Sequence, residues 1–157
     1  MAGTLSTIFK TLAISAIPLL ELRVGIPFGI TEGLHPVIAT TTGIAGNLAQ
    51  VPLILFILHT LKSFSDRVRP LGRFFAYCDR NAMRRSRLVT QYGWLGLMLM
   101  VAIPLPGSGI WMGALVAQIL ALPVRITVIG LSLGVMLSGI LIGLAATGMV
   151  QLLARWN

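Results

Sequence analysis

Apolar residues run along the chain in four blocks, at about 5–30, 37–61, 92–122 and 124–154, and a polar stretch at 62–91 divides them into two pairs. Each block reaches the roughly 20 apolar residues that a helix needs to cross a bilayer. Blocks two and four read as ordinary spans. The second opens at Pro36 and runs from Val37 to Leu61 with no charge. The fourth opens at Pro123 and carries only Arg125 near its start and Arg155 near its end. Proline in a first turn is an ordinary helix start, so both blocks predict straight spans.

Blocks one and three are interrupted. Pro18, Glu21, Arg23 and Pro27 stand inside the first, and Pro104-Leu105-Pro106-Gly107-Ser108-Gly109 inside the third. Proline removes an amide donor and clashes with the preceding turn, so neither block continues as a straight helix. Broken backbone at membrane depth is tolerated only where protein or a wet cavity satisfies it. Each block therefore predicts two half-helices about a break at Pro18–Pro27 or Pro104–Pro106, either a re-entrant hairpin or a discontinuous span.

The two halves match in outline. Ser15-Ala16-Ile17-Pro18 pairs with Val101-Ala102-Ile103-Pro104, Pro36 with Pro123, and Gly43 with Gly130. Interrupted segments at corresponding places point to a transporter site at the repeat interface. The expected fold is all-α and integral to the membrane, with two inverted repeats. Each repeat is a broken or re-entrant helical hairpin followed by a transmembrane helix. Repeat 1 covers about 5–61, a basic loop 62–91, and repeat 2 about 92–154, within one membrane domain, 1–157. Re-entrant hairpins put both termini outside; four full spans put both inside.

Composition supports lipid as the solvent. Of 157 residues 56% are hydrophobic and 10% charged, with mean hydropathy +0.92. A soluble domain of that make-up would expose large apolar patches. The net charge is +8, and 8 of the 12 basic residues fall between Lys62 and Arg87. Flanked by apolar blocks, this patch suits anionic lipid headgroups rather than nucleic acid. By the positive-inside rule it is cytoplasmic, in a multi-pass protein of the inner (plasma) membrane. Pro70, Leu71, Phe74, Phe75, Cys78 and Ala82 also allow a short interfacial helix there. Ala13-Ile14-Ser15-Ala16 has cleavage-site spacing, but Lys10 breaks the run and more membrane segment follows.

Glu21 and Arg23 are the main chemical signal. Charges at membrane depth cost about 3 kcal/mol each on insertion scales, so they have a partner or a task. Their i, i+2 spacing does not place them on one helix face. They serve either as a structural pair locking the hairpin or as a substrate and proton site. Gly107 and Gly109 let backbone approach a ligand closely, with Ser108 between them and a half-helix opening at Ile110; the alternative is a plain tight turn. Thr40, Gly43, Asn47 and Gln50 share one face of block two, and Thr127, Gly130, Gly134 and Ser138 one face of block four. Gly25/Gly29, Gly109/Gly113, Gly130/Gly134 and Gly139/Gly143 read as close helix packing. Asn47 and Gln50 are assigned to a cavity. No enzyme is expected: Ser108 with His35 or His59 lacks any residue to orient the pair. No metal or cofactor is expected, since His/Cys clusters and nucleotide loops are missing from the sequence.

Ile17-Pro18-Leu19-Leu20-Glu21-Leu22-Arg23-Val24-Gly25-Ile26-Pro27-Phe28-Gly29 resembles the hallmark of the small multi-drug export family of bacterial and archaeal membrane proteins. Tyr92-Gly93 through Pro104–Ala114 resembles the same family. That family is similar, at a distance, to the DedA superfamily, whose pattern is two re-entrant hairpins each followed by a span. The resemblance implies transport, with acidic and arginine residues needed in the hairpins. It also implies a rival cargo, since DedA-like proteins are linked to phospholipids and undecaprenyl phosphate.

The expected protein is thus a small, homo-oligomeric exporter of an amphipathic or anionic substrate, coupled to protons. Glu21 carries the proton and Arg23 holds the anionic group. A lipid flippase or scramblase is the first alternative, and a non-transporting scaffold the second. The expected partners are membrane lipids, protons and the substrate itself.

Overall fold

The computed structural model describes residues 2–18, 20–65, 89, 91–103 and 109–156. Seven helices account for nearly all of them: α1 Ala2–Ser15, α2 Glu21–Thr31, α3 Pro36–Leu48, α4 Gln50–Ser65, α5 Trp94–Ala102, α6 Ile110–Ile119 and α7 Val124–Trp156. The basic stretch from 66 to 88, with its interfacial-helix and topology readings, lies outside the described residues. So do Pro104, Pro106, Gly107 and Ser108.

Length sorts the helices. Pro36–Thr60 (25 residues, mean hydropathy 1.6) and Val124–Leu152 (29 residues, 2.3) are long and apolar enough to cross a membrane. At 1.5 Å per residue, α2, α5 and α6 reach only about 14–17 Å, short of a hydrocarbon core of roughly 30 Å. Blocks one and three are therefore each split, with α1 ending at Ser15 and α5 at Ala102. The first span has its own step. Pro52 offers no amide to Leu48, and the helix is interrupted at Ala49.

The chain forms two compact units, Met1–Gln50 with Val135–Asn157, and Val51–Gly134. In the first, α1 and α2 run antiparallel. A Cβ on Gly25 would strike Ser15, and one on Gly29 would meet Thr11 Oγ1 at 2.8 Å. The C-terminal half of α3 packs on both: a Cβ on Gly46 would meet Leu12 O at 2.5 Å, and one on Gly43 would meet the Ile26 side chain at 2.5 Å. The C-terminal part of α7 closes the unit, Gly139 on Ile44 and Gly143 on Thr40. In the second unit a Cβ on Gly113 of α6 would meet Val101 of α5 at 2.7 Å, and one on Gly134 of α7 would meet Met98 O at 2.8 Å. These glycines bring backbones together where lipid gives no hydrophobic drive.

The order helix, break, helix, turn, long helix thus occurs twice, and the agreement reaches single hydrogen bonds. The α2–α3 turn bonds Leu34 N to Gly29 O and Gly33 N to Ile30 O; the α6–α7 turn bonds Leu122 N to Ala117 O and Ala121 N to Gln118 O. Both are Schellman turns, with the left-handed residue Gly33 (φ 89°) in one and Ala121 (φ 50°) in the other. These pairs fix the register. Positions before the break correspond at a spacing of 86, so Leu12 matches Met98 and Ser15 matches Val101. Beyond the break the spacing is 88, because the second tip is two residues longer. The proline pairing of Pro36 with Pro123 is one residue out. Pro36 is the first residue of α3, whereas Pro123 sits where His35 does, each giving its carbonyl to the first turn (to Thr127 N and Ala39 N). Gly43 accordingly matches Leu131 rather than Gly130.

Candidate functional site

The break between α1 and α2 has to satisfy backbone groups that Pro18 leaves without helical partners. Ala16 N bonds to Leu12 O and Ala13 O, and Ile17 N to Ile14 O. Glu21 N reaches back to Ile17 O, and Val24 N to Leu20 O. The carbonyl of Ser15 is met by a side chain: Gln50 Nε2 donates to it at 2.8 Å, in a buried bond across 35 residues. Gln50, expected on a cavity, thus ties the first residue of α4 to the end of α1.

Glu21 opens α2 and is 8% exposed. Its φ of 49° puts a non-glycine residue in the left-handed region, at a cost of about 1–3 kcal/mol. Arg23 is half-buried on the same first turn. Further along, Pro27 stands inside α2 and gives no amide to the Arg23 carbonyl.

Asn47 comes to the same level by register. Gly29 abuts Ala39, and Ile26 abuts Gly43, so α2 and α3 are antiparallel. One more turn sets Asn47 beside the Glu21–Leu22 end of α2. Asn47 is 1% exposed, and neither atom of its amide has a hydrogen-bond partner. Ser15 Oγ and Thr11 Oγ1 are likewise buried and unpartnered. One end of the first unit therefore gathers Glu21, Asn47, Gln50 and Ser15.

Among the predicted site residues, Glu21, Arg23, Asn47 and Gln50 fall in this unit, while Gly109 caps α6 in the other. Thr40 leaves the expected stripe and turns toward Gly143 on α7. His35 is exposed, its Nδ1 accepting from Val37 N at the start of α3, and His59 is exposed on α4. Thr11 and Ser15 were not legible as site residues. The only signal was Thr7, Thr11 and Ser15 recurring at i, i+4, i+8. Among the described residues no group of three His, Cys, Asp or Glu is placed to hold a metal. The first unit also has an apolar groove of about 390 Å³ between Pro36–Ile44 and Ile140–Thr147.

A family model described as "Putative small multi-drug export protein" matches residues 21–141, most of the chain. No curated protein and no solved structure matches it.

Proposed function

The chain belongs to the small multi-drug export family, and from that premise we propose that it exports an amphipathic or anionic substrate coupled to protons. Glu21 carries the proton, and Arg23 holds the anionic group through its planar guanidinium. Asn47 and Gln50 complete the polar surface at the first break. Gly107, Ser108 and Gly109 are assigned to substrate binding as well. In this reading the two halves are inverted repeats with re-entrant pairs, the basic loop is cytoplasmic, and the protein is a homo-oligomer of the plasma membrane. It performs no bond chemistry.

The observation that carries the reading is Glu21. A buried carboxylate, held on left-handed backbone at the break of an apolar helix pair, is costly in two ways at once. Costs of that kind concentrate where a protein works.

The test is flux in liposomes under a pH gradient, with anilinonaphthalene sulfonate as the amphipathic anion. Glu21→Gln removes gradient-driven flux and leaves the fold and probe binding intact. Arg23→Lys weakens binding of the anion. Normal flux in Glu21→Gln assigns Glu21 to structure instead.

The apolar groove beside α3 favours a second reading, gradient-independent movement of lipid. A labelled phospholipid assayed in parallel separates the two.

A further inference from the structure

The first helix pair buries polar atoms that nothing around it answers. Thr11 and Ser15 are 0% exposed and Asn47 1%. Thr11 Oγ1, Ser15 Oγ and both Asn47 amide atoms have no partner. Thr7, one turn before Thr11, is buried with its hydroxyl on Gly3 O at 3.1 Å. Positions 7, 11 and 15 form one stripe on α1. It faces Gly29 and Gly25 on α2 and Gly46 on α3, with Gly43 nearby.

Unanswered polar atoms disfavour the packed state, and most of all where no water reaches. The same chain contains the apolar solution. At the matching places stand Leu97, Val101 and Val135, all buried. An apolar seam of this geometry is therefore attainable, and the first pair does not use one.

We propose that the seam between α1 and the α2–α3 pair is the wall of the translocation path, closed in this structure. When it parts, Thr11, Ser15 and Asn47 face water and the polar portion of the passing solute, and the path ends at Glu21. The glycine wall suits such parting, because at Gly25 and Gly29 it offers no side chain to interlock with Ser15 and Thr11. The opening recovers the hydrogen bonds forgone in the closed state, which keeps the two states near balance. This inference rests on the transport reading above.

Single cysteines at Thr11, Ser15 and Asn47, in a full-length Cys78→Ser background, are exposed in vesicles to a small methanethiosulfonate reagent. Cysteines at Leu97, Val101 and Val135 are the matched set. Under a pH gradient with anilinonaphthalene sulfonate, the first set labels about tenfold faster than at rest, and the matched set stays unlabelled. A second measurement covers variants that fold poorly. Thr11→Val, Ser15→Ala and Asn47→Leu remove the unanswered atoms, so each raises the melting temperature and slows flux. If the first set labels no faster than the matched set while the probe is transported, the seam is not the path. Lower melting temperature with unchanged flux also overturns the proposal. If the seam labels but Glu21→Gln transports normally, the coupling role falls and the path stands.

Discussion

The two helix pairs solve one packing problem with opposite chemistry. In both, a helix stops before a proline, a second helix returns, and a glycine on it receives residue 15 or its counterpart 101. In both, a Schellman turn leads into a long helix whose glycine, Gly46 or Gly134, touches a backbone carbonyl. Yet Thr11 corresponds to Leu97, Ser15 to Val101, Glu21 to Gly109 and Asn47 to Val135. Thr11 and Leu97 are equally buried, at 0% exposure. Backbone contact through glycine thus sets the architecture, and the polarity of the seam is free to vary. The buried polar groups of the first pair are thus not needed for its shape.

The strongest way to break this comparison is to block the shared contact. Gly46→Leu and Gly134→Leu each drive a side chain into backbone, at Leu12 O and Met98 O, which no rotamer relieves. Both should lose at least about 3 kcal/mol and the monodisperse peak on detergent size exclusion. Tolerance of one but not the other would show that the pairs are not built alike.

Next comes a contact found, among the described residues, in the first pair. Gln50→Leu leaves the Ser15 carbonyl buried without its donor, a loss of about 1–3 kcal/mol. Its counterpart Ser138→Ala should cost less than about 1 kcal/mol. Thermal melts of the two variants compare them directly, and equal losses would erase the distinction.

The smallest effect lies at the turns. Gly33→Ala puts a Cβ on a φ of 89°, in open space, and should cost about 1 kcal/mol. Ala121→Gly should gain a comparable amount, since its φ of 50° already strains an alanine. If Ala121→Gly destabilises, the second turn is not the strained copy of the first.

Much of this fold was legible from length and proline grammar. The two long apolar helices, the ends of α1 at Ser15 and α5 at Ala102, and the start of α6 at Ile110 all follow from where an apolar run can and cannot stay helical. The register was not. Pro36 and Pro123 look equivalent, but one stands inside its helix and the other caps it. A capping position depends on torsions that residue identity does not fix. Thr11 and Ser15 were silent for another reason. In an apolar helix a hydroxyl usually answers its own backbone, as Thr7 does with Gly3. Only the approach of glycines shows that these two do not. Glu21, by contrast, stood out because charge is rare in so apolar a segment, and it is the buried one of the pair. Gln50 is unusual in the sequence, but its bond to the Ser15 carbonyl is not legible there, since sequence does not say which broken end a glutamine will reach.

The Gln50 bond has a consequence for how the protein is made. The carbonyl of Ser15 leaves the ribosome 35 residues before the amide that satisfies it. Until Gln50 emerges, the nascent α1–α2 pair carries an open polar end that hydrocarbon does not tolerate. If the pair is re-entrant, as proposed, it is expected to wait at the aqueous interface or inside the insertion machinery. The smallest piece that enters the bilayer complete is then not the helix pair alone but the pair together with α3 and the first residue of α4, released as one package.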